Sequence, residues 1–125
     1  MTTGDPQLDI WGMDVARFGD WATLAYTNAK VRENYSRRFR ITFPNEELPA
    51  ARPLHTTPIY DRLTEHNAVW GAGFGLEHPL WFQEAGKPPI EDVTFYRSNA
   101  FDVVSEESRA VRERVGLSEA SNFAK

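Results

Sequence analysis

Apolar positions recur at helical spacing near both ends of this 125-residue chain, with shorter extended patterns between them. Trp21, Leu24, Ala25, Asn28, Val31, Tyr35 and Phe39 fall three or four residues apart. All but Asn28 are apolar or aromatic, which predicts a helix capped by Asp20, running to about Arg38 and burying one stripe. Lys30, Arg32, Glu33, Arg37 and Arg38 lie on or near its other face. The period then changes. Phe39, Ile41 and Phe43 alternate with Arg40 and Thr42, which predicts a short strand stopped by Pro44. Residues 45–54 read as a loop around Pro49 and Pro53. Thr57 is placed to cap a short helix with Pro58 at its first position, running to about His66 with Ile59, Tyr60 and Leu63 inward. Residues 68–82 are apolar, aromatic and glycine-rich, and read as extended; residues 84–92 read as a surface loop around Gly86, Pro88 and Pro89. Residues 93–97 form a plausible strand. Asn99 then caps a last helix from about Ala100 to Val115, with Phe101, Val104, Ser108, Val111 and Val115 inward. Gly116 stands where a left-handed C-cap belongs, and Arg109 and Glu113 are spaced to pair across one turn. Residues 1–12 read as an irregular opening, with Gly4, Asp5, Pro6 and Gly12 as turn residues. Three helices with a few short strands make an α+β arrangement.

Composition narrows the function. Hydrophobic residues are 41% and aromatic residues 13%, enough to build a core and against global disorder. The net charge of -4 is a poor match for a polyphosphate, so nucleic acid is not an expected partner. Cysteine is absent, which excludes disulfides, thiolate zinc sites, iron–sulfur ligation and cysteine nucleophiles. No run approaches the roughly 20 apolar residues of a spanning helix, so no membrane partner is expected. Residues 1–10 lack a basic start and an apolar core, so no secretory signal is read, and the expected location is cytoplasmic.

The local strings offer little chemistry. Gly71-Ala72-Gly73-Phe74-Gly75 suggests a dinucleotide fingerprint, but Leu76 replaces its third glycine and Pro79 opposes the helix it requires, so a tight bend is expected. His55, His66 and His78 do not fall at metal-ligand spacing on a helix. Tyr35, Tyr60 and Tyr96 read as packed rings with surface hydroxyls. Arg37, Arg38 and Arg40 stand near Glu46 and Glu47, an ion-pair network rather than an anion site. Glu106 and Glu107 are neighbours on a helix and diverge, so they do not form a paired-carboxylate site. Trp81-Phe82, with Trp70 and Phe74, is the densest aromatic patch; periodicity leaves open whether it is core or a docking surface.

Five strings in order carry a resemblance. They are Asp14-Val15-Ala16-Arg17-Phe18; residues 35–44 followed by 52–63; Ala68-Val69-Trp70-Gly71; Gly75 to Phe82; and Glu107, Arg109 to Arg112, and Val115-Gly116-Leu117, continued by residues 121–125. Together the chain resembles the folate-linked, FAD-dependent amine dehydrogenase family, typified by dimethylglycine and sarcosine dehydrogenases. Departures occur at Leu76, His78 and Leu80, where the family usually has Trp, Arg and Asn, and at His55 and Glu119, where it often has Arg and Asp. The resemblance implies oxidative demethylation of an N-methyl amine, with a hydride passing to FAD and the resulting iminium to tetrahydrofolate. It places the nucleotide fingerprint upstream of Met1 and most of the folate-binding domain downstream of Lys125, with residues 123–125 starting a strand. The implied organisation is the tail of a flavin-dependent oxidoreductase domain in residues 1–50, a central linker domain in 51–98, and the start of an aminomethyltransferase-like (glycine-cleavage T-protein) domain in 99–125. No catalytic, cofactor-binding or metal residue is carried over; FAD and tetrahydrofolate are implied only for the parent protein. Glu77, Trp81 and Phe82 are the expected interdomain packing residues, and a buried Glu77 requires a partner such as an Arg. The implied role is structural, between flanking flavin and aminomethyltransferase domains in cis. The alternative is a small binding subunit that docks on a separate flavin- or folate-binding partner through Trp81-Phe82. A stand-alone enzyme is the least favoured reading.

Overall fold

A computed structural model of the chain describes residues 11–13, 15 and 18–120. The irregular opening expected before Trp11, most of the Asp14–Phe18 string and the strand start at residues 123–125 lie outside the described residues. After a 3-10 turn at Trp11–Met13 come α1 (Leu24–Ser36), α2 (Tyr60–Glu65), β1 (Ala68–Gly73), β2 (Leu76–Phe82) and α3 (Ala100–Glu113). The α+β class is as expected.

β1 and β2 form an antiparallel hairpin, with Ala68 opposite Phe82 and Gly73 opposite Leu76. The glycine string is its turn. Phe74 (φ 51°) and Gly75 (φ 82°) are both left-handed, as a two-residue turn matching the twist of its strands requires. Gly75 is further constrained by a close approach: a Cβ there would stand 2.8 Å from the Trp21 ring and 3.1 Å from Leu54. A register shift between Val69 and Trp70 sets Trp70 opposite Pro79. α2 packs on β1 and α3 on β2. The core between hairpin and α3 is small, comprising Val69, Trp81 and Ala100 with Val103 against them.

Polar side chains tie the loops to this hairpin. Asn67, at φ 65° between α2 and β1, donates from Nδ2 to the carbonyls of Gln83, Glu84 and Lys87 at 3.3, 2.9 and 2.9 Å. Trp81 Nε1 donates to Glu91 at 3.2 Å, and Ser98 donates to the other Glu91 oxygen at 2.9 Å. Glu107 on α3 accepts from Phe82 N at 3.1 Å.

Several expected boundaries are corrected. α1 starts at Leu24 and is capped by Thr23, whose hydroxyl accepts from Tyr26 N at 3.3 Å; Asp20 is not the cap. α2 begins at Tyr60, and the Thr57 hydroxyl is buried without a hydrogen-bond partner, so it caps nothing. Asn99 does not cap α3 either. Its side chain accepts from Asp92 N and donates to Ile90 O, and the Ser98 hydroxyl takes the Ala100 N–H instead. α3 stops at Glu113, so Gly116 lies beyond its end and is not left-handed. Arg109 pairs with Glu106 at 2.8 Å rather than with Glu113. Neither residues 39–43 nor residues 93–97 form a strand. An alternating pattern becomes a strand only with a neighbour to pair with, and these two segments meet through rings, Phe43 on Phe95 at 4.8 Å.

The largest difference concerns which way the helices face. The expected inward stripe of α3 (Phe101, Val104, Ser108 and Val111, with Val115 beyond its end) is exposed, and the small or polar Ala100, Val103, Glu107 and Ala110 face inward. α1 buries no residue at all; its half-covered side is Tyr26, Ala29, Lys30 and Glu33, while Leu24 is 77% and Tyr35 67% exposed. Each helix rests on the protein with the face next to its apolar stripe.

Candidate functional site

The densest built arrangement of charge lies where residues 47–57 cross the hairpin. Glu77 is on β2 and only 2% exposed. The arginine its burial requires is Arg52, 25 residues away, which donates from Nε to Oε1 at 2.8 Å and from Nη2 to Oε2 at 2.5 Å. This is the bidentate geometry in which a carboxylate and a guanidinium neutralise each other best. Arg52 also donates from Nη2 to the Trp70 carbonyl at 3.0 Å and from Nη1 to Glu47 at 3.1 Å. The hydrogen bond to Glu77 holds the Arg52 guanidinium above its ordinary range, against the opposing effect of burial. Burial raises the Tyr26 phenol above its usual value, with Arg52 pulling it down and Glu77 pushing it up.

The two charges neutralise each other, and four of the five Arg52 N–H groups are hydrogen-bonded. Arg52 is the residue that sequence reasoning missed. Its only signal was indirect: a carboxylate on a strand that alternates toward the core needs a cation, and nothing local supplies one.

The other expected residues are dispersed. Trp81 is in the core at 3% exposure, with its indole N–H on Glu91, and Phe82 is half-buried beside α3. Trp70 stacks on Tyr60 at 4.3 Å, whereas Phe74 is exposed, so the aromatic patch is divided between core and surface. Tyr60 is packed as expected, but the rings of Tyr35 and Tyr96 are exposed. Of the arginine cluster, Arg37 pairs with Glu46, and Arg38 lies over the Tyr35 and Phe39 rings. Glu106 and Glu107 diverge, to Arg109 and to Phe82 N. His55 and His78 lie in or beside the hairpin and His66 ends α2; among the described residues no group of three His, Asp or Glu side chains could hold a metal.

The glycine string does not fit a dinucleotide. The glycine string is a hairpin turn rather than a loop opening a helix, and the space over Gly71 is filled by Leu80, 2.8 Å from where a Cβ would stand. Open clefts lie elsewhere among the described residues. One of about 710 Å³ lies between Phe95, Tyr96 and Arg97 and the exposed face of α3; another, about 680 Å³, runs along α1 past Phe18, Val31 and Leu48. The first is bounded by the outward apolar stripe of α3; of the outward stripe of α1, Val31 alone lines the second. Among the described residues no helix is long and apolar enough to cross a membrane.

Residues 3–57 match the FAD dependent oxidoreductase central domain, and residues 59–125 match the GCVT N-terminal domain. The chain is 36% identical over 123 residues to the mitochondrial dimethylglycine dehydrogenase of Homo sapiens, covering 98% of this chain and 14% of that protein. It is 36% identical over 124 residues to 4-methylaminobutanoate oxidase (formaldehyde-forming) of Paenarthrobacter nicotinovorans, covering 98% and 15%. It is 30% identical over 129 residues to the mitochondrial pyruvate dehydrogenase phosphatase regulatory subunit of Mus musculus, covering 100% and 15%. The chain thus spans 14% to 15% of the length of these relatives. The mammalian relatives are named as mitochondrial proteins, which overturns the cytoplasmic expectation. That expectation rested on the first ten residues, and a stretch matching so small a share of its relatives does not report an address there.

Proposed function

This chain belongs to the family of FAD-dependent dimethylglycine and sarcosine dehydrogenases, and from that premise we propose that it forms the joint between the flavin side and the aminomethyltransferase side of a longer flavoprotein that oxidatively demethylates an N-methyl amine. FAD and tetrahydrofolate are held by other parts of that protein. This segment's share is architectural: it fixes the two sides against each other and supplies no reacting group. The observation that carries the reading is the orientation of the helices. α3 turns an apolar stripe to solvent and rests on β2 with a neighbouring face, and α1 leaves Leu24, Val31 and Tyr35 exposed and meets the protein through residues 48–50. An amphipathic helix is stabilised by burying such a stripe, and the stripe left open on α3, with the exposed apolar residues of the weakly amphipathic α1, makes docking faces. Of the three interdomain candidates, Phe82 retains some surface to offer; Glu77 and Trp81 act from inside, by fixing the hairpin on which both faces are mounted.

The test uses Val31→Asp and Phe101→Asp, both at exposed positions. In the 125-residue chain each should change unfolding stability by no more than about 0.5 kcal/mol, as surface substitutions do. In the longer flavoprotein each should lower stability by about 1–3 kcal/mol, because the same side chain is then buried apolar surface, and should lower amine oxidation with it. A longer protein indifferent to both substitutions would sink the proposal.

A second reading, a docking role without catalysis anywhere in the molecule, is favoured by one relative whose name is that of a regulatory subunit. A longer protein that retains both docked faces but shows no flavin absorbance would favour it.

A further inference from the structure

The two family matches meet between Thr57 and Ile59, and a boundary in sequence invites a hinge in structure. The ties of residues 52–57 run the other way, across that boundary. His55 donates to Gly75 O at 2.9 Å and accepts from Glu77 N at 2.9 Å, so the segment lies beside the start of β2 as a short parallel edge. Leu54, with Trp21, closes over Gly75. Arg52 binds both oxygens of Glu77 and donates to the Trp70 carbonyl. On one side of this knot, Lys30 of α1 donates to Leu48 O at 2.7 Å and Glu33 of α1 accepts from Ala50 N at 3.0 Å. On the other side, Glu107 of α3 accepts from Phe82 N. A continuous path of hydrogen bonds and ion pairs therefore runs from α1 through Arg52 and the hairpin to α3.

We infer that Arg52 makes residues 52–57, the end of the segment matching the oxidoreductase central domain, and the hairpin matching the GCVT domain one folding unit, so that no hinge operates at the boundary between them. The inference rests on the proposed function only for what the two sides do; the coupling itself is a property of this chain. Arginine is required, because its planar fork presents donors along fixed directions to Glu77, Trp70 O and Glu47 at once. A lysine ammonium is a single point with three donors and cannot span those acceptors.

Native-state hydrogen exchange, read residue by residue on the 125-residue chain, tests it. In the wild type the amides of His55 and Glu77 should open together with those of the β1–β2 ladder, with one shared dependence on denaturant. In Arg52→Lys, which keeps the charge, the His55 and Glu77 amides should exchange at least about tenfold faster while the remaining ladder amides keep their rates. Wild-type amides at His55 that open independently of the ladder would overturn the inference, and so would an Arg52→Lys chain that exchanges like the wild type. The wild-type arm decides the matter even if the variant does not fold. The aspartate test above reads the outward faces of α1 and α3 in the longer protein, so failure there leaves this coupling standing, and the reverse also holds.

Discussion

A side chain with five N–H groups can satisfy several acceptors from one position, and Arg52 uses this to hold a buried carboxylate, a strand carbonyl and a surface glutamate together. Removing one partner of such a pair costs more than the pair itself contributes, since the other charge stays buried without compensation. Glu77→Ala should therefore lower unfolding stability by about 3–5 kcal/mol, measured by urea denaturation, and Glu77→Gln, which keeps shape and one acceptor, by distinctly less. Equal losses for the two would show that the lost charge alone, and neither shape nor the remaining acceptor, is at stake. The need for a cation beside Glu77 was legible in the sequence; its identity was not, because 25 residues and a change of element separate the partners. Tyr26 adds a pH dependence. Burial holds its phenol above the ordinary 10.0, so the folded chain keeps this proton at a pH where the unfolded chain has lost it. The phenol's contribution is then whole below pH 10.0 and is lost as pH rises through the folded value. Stability on the alkaline side should fall less steeply in Tyr26→Phe than in the wild type, and identical slopes would remove Tyr26 from the account.

Among the elements, the hairpin was the most legible, because its turn chemistry is local: a glycine string lacking the third glycine and followed by Pro79 cannot open a phosphate-binding helix, and it bends instead. Gly75→Ala tests that turn. It meets both a left-handed backbone and the Trp21 ring, whereas Gly86→Ala meets the same backbone (φ 85°) with nothing within 4 Å. Gly86→Ala should cost about 1 kcal/mol from the backbone alone, and Gly75→Ala about 1–2 kcal/mol more as the ring is displaced. Thermal unfolding of the two variants side by side would measure the difference, and equal costs would mean that Trp21 yields freely. The helices were legible as helices, but not in the direction they face. Periodicity fixes a stripe relative to its own helix and says nothing about where the partner lies. On α3 the partner within this chain is β2, which accepts Ala100 and Val103, and Phe101 and Val104 are left outside. The segments 39–43 and 93–97 failed as strands for the same reason: alternation was present, and a neighbouring ladder was not.

For the molecule as a whole, cohesion is uneven. The hairpin and α3 share the small core, while α1 has no buried residue and is joined to the rest through the 48–50 strap and through Trp21 over the turn. A 13-residue helix is marginal in water on its own, and it is stabilised in proteins by burying its apolar stripe. In the 125-residue chain that stripe faces solvent. The α1 amides should therefore exchange with protection within about tenfold of an unfolded chain, while the β1–β2 amides are protected at least about a hundredfold, since local stability follows local burial. Hydrogen exchange measured on the chain alone gives both values in one experiment. The same α1 amides, measured in the longer flavoprotein, should rise toward the protection of the hairpin, because docking would supply the missing half of the helix's environment. An α1 as protected as the hairpin in the chain alone would mean that strap and Trp21 suffice to hold it. Its outward stripe would then be ordinary surface, and the case for a docking face would rest on α3. The contrast between the two proteins thus tests whether the exposed stripe of α1 is the mark of a partner, which is the point on which the architectural role turns.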